Sequence, residues 1–330
     1  MKSVMAREKI PHAYLFTGIS GVGKMSTAMA MSATLNCDAP VDGDSCGKCP
    51  PCRRMLGGNS PDFLKISLLP GKTGIVIDQI RELNRQLSFA PYGRYRVCVV
   101  YQAETMTEEA ANSFLKTLEE PPPGNIIILS VREPGDLLPT IVSRCQRVAF
   151  QPLPFRDIVE WLVREKETTE DMAMVLARLS GGSLGRAIEM SEAGFFEMRQ
   201  DCLLRLIRLP GLSREKGFEM AFKCGEEAKK KGVARSKSGK SGTMDILSIW
   251  ESWYRDLLVM KVGDRIDLLI NADYSHKLKK IAESYKINDL IDSLLVIDQA
   301  QRDLVRNRNV KMVVEHAILS LRRLVSARGV

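Results

Sequence analysis

The stretch GISGVGK at residues 18–24 decides the fold of this chain. An apolar segment, His12–Thr17, precedes it, and a segment rich in alanine and methionine, Met25–Cys37, follows it. A strand, a glycine loop and a helix in this order form a phosphate-binding loop, in which backbone N–H groups surround the phosphates and a lysine reaches the outer ones. The matching residues are Gly18, Gly21, Gly23 and Lys24. The sequence therefore predicts a nucleotide site, and the alternative is a glycine turn that binds nothing.

The side chains that would hold magnesium at this site are missing. Met25 stands where a phosphate-binding loop has a serine or threonine hydroxyl, and a thioether is a poor ligand for a hard cation. A later apolar strand ends in Tyr101 and Gln102, where working enzymes carry an acidic residue. We expect Glu104 to lie at the surface or near the start of a helix. The sequence thus predicts weak or vestigial binding of ATP or ADP, and no ATPase activity of its own.

Four cysteines follow the first helix within sixteen residues, 37–52. They are Cys37, Cys46, Cys49 and Cys52. Their spacing lets four thiolates converge on one ion, which predicts a tetrahedral Zn²⁺ site. An iron–sulfur cluster is the alternative, because C-x2-C-x2-C also occurs in ferredoxins. With four protein ligands the site is closed, so its role is structural rather than catalytic.

Composition excludes several classes of protein. The chain has 330 residues, 45% of them hydrophobic and 27% charged, which is enough for two or three globular domains. Its net charge of +8 favours acidic partners, nucleic acid among them. The N-terminal residues are polar without the apolar core of a signal peptide, and no apolar run reaches the length of a membrane span. We therefore expect a cytoplasmic protein with reduced thiols and no membrane partner.

Strands and helices alternate up to about residue 150. Three further strands are predicted at Phe63–Ser67, Arg96–Tyr101 and Asn125–Val131, and two further helices at Ile77–Leu87 and Thr107–Leu118. Such alternation predicts an α/β fold whose parallel sheet is covered on both faces.

The chain beyond residue 150 shows helical patterns. The segments are Ile158–Glu165, Glu170–Leu179, Met244–Met260, Ile287–Val305 and Val310–Val325. Trp250 and Trp253 share one stripe and are expected in the core or at a subunit interface. The stretch 229–240 carries six basic residues among glycine and serine and predicts a solvated, mobile loop, with contact to nucleic acid as the alternative.

Two motifs carry a family resemblance. NSFLKTLEEPP at 112–122 and Ser143-Arg144-Cys145 resemble the bacterial clamp-loader branch of the AAA+ ATPases, over about residues 9–190. Within that branch the chain is similar to the delta-prime class rather than to the gamma/tau motor subunits, because both magnesium supports are lost. The resemblance implies an AAA+ core at 1–150 with its zinc module at 37–52, a helical lid at 151–192 and an α-helical collar at 193–330.

The resemblance also implies a function. Delta-prime-class proteins are subunits of the DNA polymerase III holoenzyme and act with gamma/tau and delta subunits, the sliding clamp and, through the complex, primed DNA. The family's arginine finger matches Arg144, which would act in trans on the neighbour's ATP, and its second sensor arginine matches Arg186. The first sensor strand, Ile126–Ser130, offers only Ser130 as a polar candidate. Only eleven residues precede His12, so the adenine pocket is expected to be short on that side.

Two other functions stay open. A catalytic gamma/tau-like ATPase is disfavoured by Met25, Tyr101 and Gln102. A non-replicative zinc protein that binds nucleic acid through its basic stretch leaves the two clamp-loader motifs without an explanation.

Overall fold

A computed structural model describes most of the chain and divides it into two units. The described residues are 10–69, 72–192, 194–235, 241–263, 265–306 and 308–326. The first unit contains the residues up to Pro154 together with Gly182–Arg186, and the second contains Phe155–Gly181 and the residues from Ala187 onward.

The first unit is built on one parallel sheet. Its strands are β1 (Ala13–Thr17), β2 (Phe63–Ile66), β3 (Arg96–Tyr101), β4 (Asn125–Ser130) and β5 (Gln146–Ala149). They lie in the order β2-β3-β4-β1-β5, and every neighbouring pair is parallel. The predicted parallel sheet is confirmed. Because parallel strands end at one edge, the loops after β1, β3 and β4 meet there.

Helices cover both faces of this sheet. They are α1 (Lys24–Leu35), α2 (Pro50–Leu56), α3 (Ile77–Leu87), α4 (Glu108–Glu119) and α5 (Pro139–Val142). Side chains alternate along β1, so that Leu15 packs on one face with Phe114, and Phe16 packs on the other with Met31. The predicted helices and strands of this part of the chain are confirmed, with ends that differ by one or two residues.

The first helix ends two residues before its predicted end. Asn36 follows α1, and its side-chain amide donates to the carbonyls of Ser32 and Tyr95 at 3.1 and 2.9 Å. These bonds turn the chain away from the helix axis, so that Cys37 leaves the helix and is available to the cysteine group.

The second unit is helical throughout its described residues. Its helices are α6 (Phe155–Lys166), α7 (Glu170–Leu179), α8 (Leu184–Met190, whose first turn belongs to the first unit), α9 (Phe195–Arg208), α10 (Arg214–Arg235), α11 (Ser241–Gly263), α12 (Ser275–Ala282), α13 (Ile287–Val305) and α14 (Val310–Ser326). All five helices predicted beyond residue 150 are confirmed. Trp250 and Trp253 are buried in this unit, as the prediction of core residues requires.

The basic stretch differs from its prediction. Residues 229–235 continue helix α10 instead of forming a loop, because lysine, alanine and arginine are strong helix formers. Residues 236–240 lie outside the described residues, and the alternative of nucleic-acid contact by this stretch stays a prediction. Over the part of the chain that the structure describes, none of the helices has the length and apolarity to cross a lipid bilayer.

Candidate functional site

The phosphate loop lies between β1 and α1 at the carboxyl edge of the sheet. Gly18, Gly21 and Gly23 have φ values of +135°, +74° and +104°, which only glycine adopts at little cost. A Cβ atom on Gly21 would lie 2.4 Å from the hydroxyl oxygen of Ser183. The glycines are therefore needed both for the turn and for the close approach of another segment.

Lys24 bonds to its own loop. Its side chain is only 8% exposed, and its ammonium group donates to the carbonyls of Gly18 and Ile19, the latter at 3.0 Å. Burial lowers the pKa of Lys24, and Arg132 lowers it further, whereas Glu104 raises it. The charge that would meet the outer phosphates of a nucleotide is thus partly satisfied by backbone oxygen atoms.

The segment Gly182–Arg186 packs directly on this loop. The Ser183 hydroxyl donates to the Ser20 carbonyl at 2.8 Å, and the Gly185 N–H donates to the Gly21 carbonyl at 2.9 Å. The same hydroxyl accepts the N–H of Arg186 at 3.1 Å. The structure therefore brings the backbone of Arg186 close to the glycine loop.

Met25 and Tyr101, which stand at the positions of expected magnesium supports, make other contacts in the structure. Met25 packs against the core formed by Phe16 and Met31, so that its side chain leaves the site. Tyr101 ends β3 with its ring 5.4 Å from the Lys65 ammonium nitrogen. Neither residue supplies an oxygen anion to a divalent cation.

Glu104 is more buried than the sequence predicted. It lies in a short 3-10 turn, Ala103–Thr105, near a helix start as expected, but it is half-buried. One of its carboxylate oxygens is fully buried and accepts no hydrogen bond from the described residues. Burial raises its pKa, while the charges of Lys24 and Arg132 lower it. This carboxylate is therefore close enough to Lys24 and Arg132 for their charges to act on it.

Arg132 is a site residue that the sequence did not single out. Its carbonyl accepts the N–H of Gly18 at 2.9 Å, and its charge acts on both Lys24 and Glu104. Ser130, the predicted polar sensor, is 3% exposed and lies within β4. The position of Arg132, two residues beyond the end of a strand at the ligand-binding edge, was the available signal.

Replacement of Lys24 by alanine tests whether the loop is used. Because Lys24 already bonds to its own loop, the clamp loading that the family resemblance implies should proceed at an unchanged rate in a reconstituted complex. Loss of its hydrogen bonds should lower the free energy of unfolding by about 1–3 kcal/mol. A large loss of loading, absent from the exposed control Lys72→Ala, would show that nucleotide binding here is needed.

The four predicted cysteines are close together. Their Sγ atoms all lie within 4.8 Å of one another, and those of Cys37 and Cys49 are 3.9 Å apart. Four thiolates about 2.3 Å from a central zinc ion would be about 3.8 Å from one another, so the arrangement fits a single metal ion. Cys37 and Cys52 are buried, and Cys46 and Cys49 are half-buried.

Backbone N–H groups support the cysteine group. The N–H groups of Cys46 and Cys49 donate to the sulfurs of Cys37 and Cys46 at 3.3 and 3.4 Å. The backbone of Lys48 and of Cys49 lowers the pKa of Cys46 to about 6, whereas burial raises the pKa of Cys52 to about 12. Hydrogen bonds from backbone to sulfur stabilise thiolates, which is the form that binds metal.

Arg144 lies just after α5, with its side chain 35% exposed. Its guanidinium group contacts Glu119 at 2.5 Å and donates to the Thr140 carbonyl at 2.7 Å. Glu119 ends helix α4 and is itself half-exposed. The two predicted motifs, LKTLEEPP and Ser-Arg-Cys, are therefore joined by one ion pair at the surface.

Comparison with known proteins finds similarity to subunits of DNA polymerase III. The family described as DNA polymerase III, delta subunit, matches residues 1–154. DNA polymerase III subunit delta-prime of Bacillus subtilis is 29% identical over 318 residues, which cover 96% of this chain and 92% of that protein. The delta-prime subunit of Escherichia coli is 36% identical over 190 residues, which cover 57% of each chain.

A tau subunit is also similar to this chain. DNA polymerase III subunit tau of Bacillus subtilis is 24% identical over 342 aligned positions, which cover 97% of this chain and 59% of that protein. The alignments with this tau subunit and with the Escherichia coli delta-prime subunit thus span less than two thirds of those relatives.

Proposed function

Because this chain belongs to the delta-prime-type family of bacterial clamp-loader subunits, we propose that it is a subunit that supports clamp loading without hydrolysing ATP itself. In this proposal it assembles with gamma/tau and delta subunits, acts on the sliding clamp and meets primed DNA through the complex. Its contribution to ATP hydrolysis is Arg144, placed in the active site of a neighbouring subunit.

The observation that carries the proposal is the packing of Met25, the residue after Lys24. Met25 packs its partly buried side chain against the core, and the strand that should supply an acid ends at Tyr101, which Gln102 follows. None of these three side chains offers a carboxylate or a serine or threonine hydroxyl to a magnesium ion, and the metal is what neutralises charge in phosphoryl transfer. A site of this kind is suited to stabilising the glycine loop rather than to hydrolysing ATP.

The geometry at Arg144 supports a role in trans. An arginine finger must be exposed, permanently charged and able to exchange its resting contacts for phosphate oxygens. The ion pair with Glu119 meets these needs, because exposed pairs contribute only about 0–1 kcal/mol and are readily exchanged. On docking, the guanidinium would leave Glu119 and stabilise the charge that develops on the transferred phosphoryl group of the neighbour's ATP.

A structural zinc ion belongs to the proposal. Cys37, Cys46, Cys49 and Cys52 would hold it, since the distances between their sulfurs fit one ion. A larger iron–sulfur cluster would need sulfurs further apart than the 3.9 Å between Cys37 and Cys49. The ion would cross-link the segment after α1 to helix α2, and all four positions are filled by protein.

The helical lid (151–192) and the collar (193–330) are also part of the proposal. Helices α13 and α14 border an open groove of about 740 Å³ whose lining is mostly apolar. Leu295 and Met312 line it and are exposed. Exposed apolar grooves on helical units are common at subunit contacts, which suits a collar that joins clamp-loader subunits.

One observation favours a second candidate, a gamma/tau-like ATPase. Glu104 places a half-buried carboxylate near Lys24, and its pKa is influenced by that lysine. This carboxylate would have to replace the missing acid at the end of β3.

Measurement of ATP turnover by the purified chain alone, with and without primed DNA, distinguishes the non-hydrolysing subunit from the gamma/tau-like ATPase. The proposal expects no turnover above background in either condition. Turnover that both Lys24→Ala and Glu104→Gln abolish would establish a motor subunit and contradict the proposal.

A further inference from the structure

Two aromatic rings stand out from the surface near the cysteine group. Phe89 is 59% exposed and Tyr92 is 76% exposed, and both lie in the loop between α3 and β3. Single exposed apolar residues are common, but two aromatic rings three residues apart on one loop form a local surface.

The loop that carries the rings is held firmly. The buried carboxylate of Asp62 accepts the N–H groups of Tyr92 and Gly93 at 2.9 and 2.6 Å. Buried Arg96 donates to three carbonyls, those of Gln86, Phe89 and Ala90. The side-chain oxygen of Asn36 accepts the N–H groups of Arg94 and Tyr95 at 2.9 and 3.1 Å. A partner would therefore meet rings whose backbone is already ordered, which lowers the entropy cost of binding.

Guanidinium groups lie beside the rings. The guanidinium carbon of Arg54 is 5.4 Å from the centroid of the Tyr92 ring, and that of Arg85 is 5.9 Å from the Phe89 centroid. Glu82 pairs with Arg85 through two bonds of 2.7 and 2.8 Å, so this charge is compensated. Arg54 lies on helix α2, and we call the segment from Cys37 to the end of this helix at Leu56 the cysteine module. Arg54 and Gly93 of the loop line the same small cavity.

Two further exposed arginines are close in sequence to this group. Arg53 and Arg94 are both exposed, one beside Arg54 on α2 and the other two residues after Tyr92. We call Arg53, Arg54, Phe89, Tyr92 and Arg94 the arginine–aromatic surface. It combines rings for stacking with positive charge for phosphates, which is the pattern of surfaces that bind single strands.

We propose that the arginine–aromatic surface binds single-stranded DNA. Unpaired bases stack on Phe89 and Tyr92, and the arginines contact the phosphates between them. Duplex DNA is a poor fit, because its bases are stacked on each other and present no free face to the rings. The cysteine module then has a second task beyond stability, since it holds Arg53 and Arg54 next to the loop. This binding goes beyond the proposed function, because it would take place on the isolated chain, without the other clamp-loader subunits.

The test is fluorescence anisotropy of a labelled, mixed-sequence oligonucleotide of about 20 nucleotides, titrated at low salt with the full chain. The double variant Phe89→Ala/Tyr92→Ala should bind about tenfold or more weakly than the unchanged chain, because two stacking platforms are removed. The matched control Phe218→Ala/Phe222→Ala removes two exposed rings from the second unit and should bind like the unchanged chain.

Two more variants separate stacking from charge and from folding. Tyr92→Phe keeps the ring and should keep the affinity. Arg53→Ala/Arg94→Ala should reduce the slope of log affinity against log salt by about 0.7 for each phosphate that the variant no longer neutralises. The metal content and the thermal unfolding of each variant show whether the cysteine module remains intact.

The proposal is overturned by any of three results. These are no binding by the unchanged chain, equal affinity of the Phe89→Ala/Tyr92→Ala variant, and duplex binding as tight as single-strand binding. A surface that serves a protein partner instead would give the first result. No other loader subunit is present in the assay, so this failure leaves the proposed clamp-loader function standing.

Discussion

Replacement of Arg144 by alanine should slow ATP hydrolysis at the neighbouring subunit's site by about a thousandfold or more, while the complex still assembles. In the proposed function, the guanidinium group of Arg144 stabilises in trans the charge spread over the transferred phosphoryl group, and alanine supplies no such group. Arg144→Lys should recover little, because an ammonium group lacks the planar, two-pronged donor geometry. Clamp-stimulated ATPase of the reconstituted complex, with its subunit composition verified by size-exclusion chromatography, measures the effect.

Two controls isolate the finger. Glu119→Gln breaks the resting ion pair but keeps the guanidinium group, so hydrolysis should be retained. Arg147→Ala removes another exposed arginine, on β5, and should also retain activity. An assembled Arg144→Ala complex with unchanged ATPase would refute the role in trans.

The second large effect is expected at the cysteine group. Cys49→Ser should release the metal and unfold or loosen the segment between α1 and α2, because a structural zinc ion contributes about 10 kcal/mol or more of apparent binding free energy. The unchanged chain should hold one zinc ion by elemental analysis, and treatment with a strong chelator should reproduce the loss of stability. Thermal unfolding of the full chain reports both changes.

Cys145→Ser is the matched control, since this cysteine is half-buried outside the group and packs on the sheet core. Its zinc content should equal that of the unchanged chain. Iron in place of zinc, or no metal at all, would rule out the zinc assignment.

The effects of Arg144→Ala and of Cys49→Ser are expected to be independent, although both residues lie in the first unit. Replacement of Arg144 should leave the metal in place. Loss of the metal should disturb helix α2 but leave the contacts of Arg144 unchanged. The arginine–aromatic surface links to the second effect, because Arg53 and Arg54 follow directly after Cys52. Chelation is therefore expected to weaken binding of single-stranded DNA as well.

The sequence by itself determined the parts of this protein that depend on local pattern. Glycine spacing before Lys24, apolar strands that alternate with amphipathic helices, and the spacing of four cysteines each specify short-range geometry. For this reason the parallel sheet, the presence of its helices and the approach of the four sulfurs were predictable, whereas the exact helix ends were not. Substitution of Met25 for a hydroxyl residue was also readable, since the chemistry of one position does not depend on distant contacts.

Only the tertiary structure decided how these parts meet. The bond from Ser183 to Ser20 joins residues 163 positions apart, and the ion pair of Arg144 with Glu119 joins two separate elements. Burial of Glu104, the place of Arg132 beside Gly18 and the firm loop under Tyr92 likewise depend on which strands are neighbours in the sheet. Local patterns do not encode such contacts, because burial and long-range hydrogen bonds are set by the packing of the whole unit.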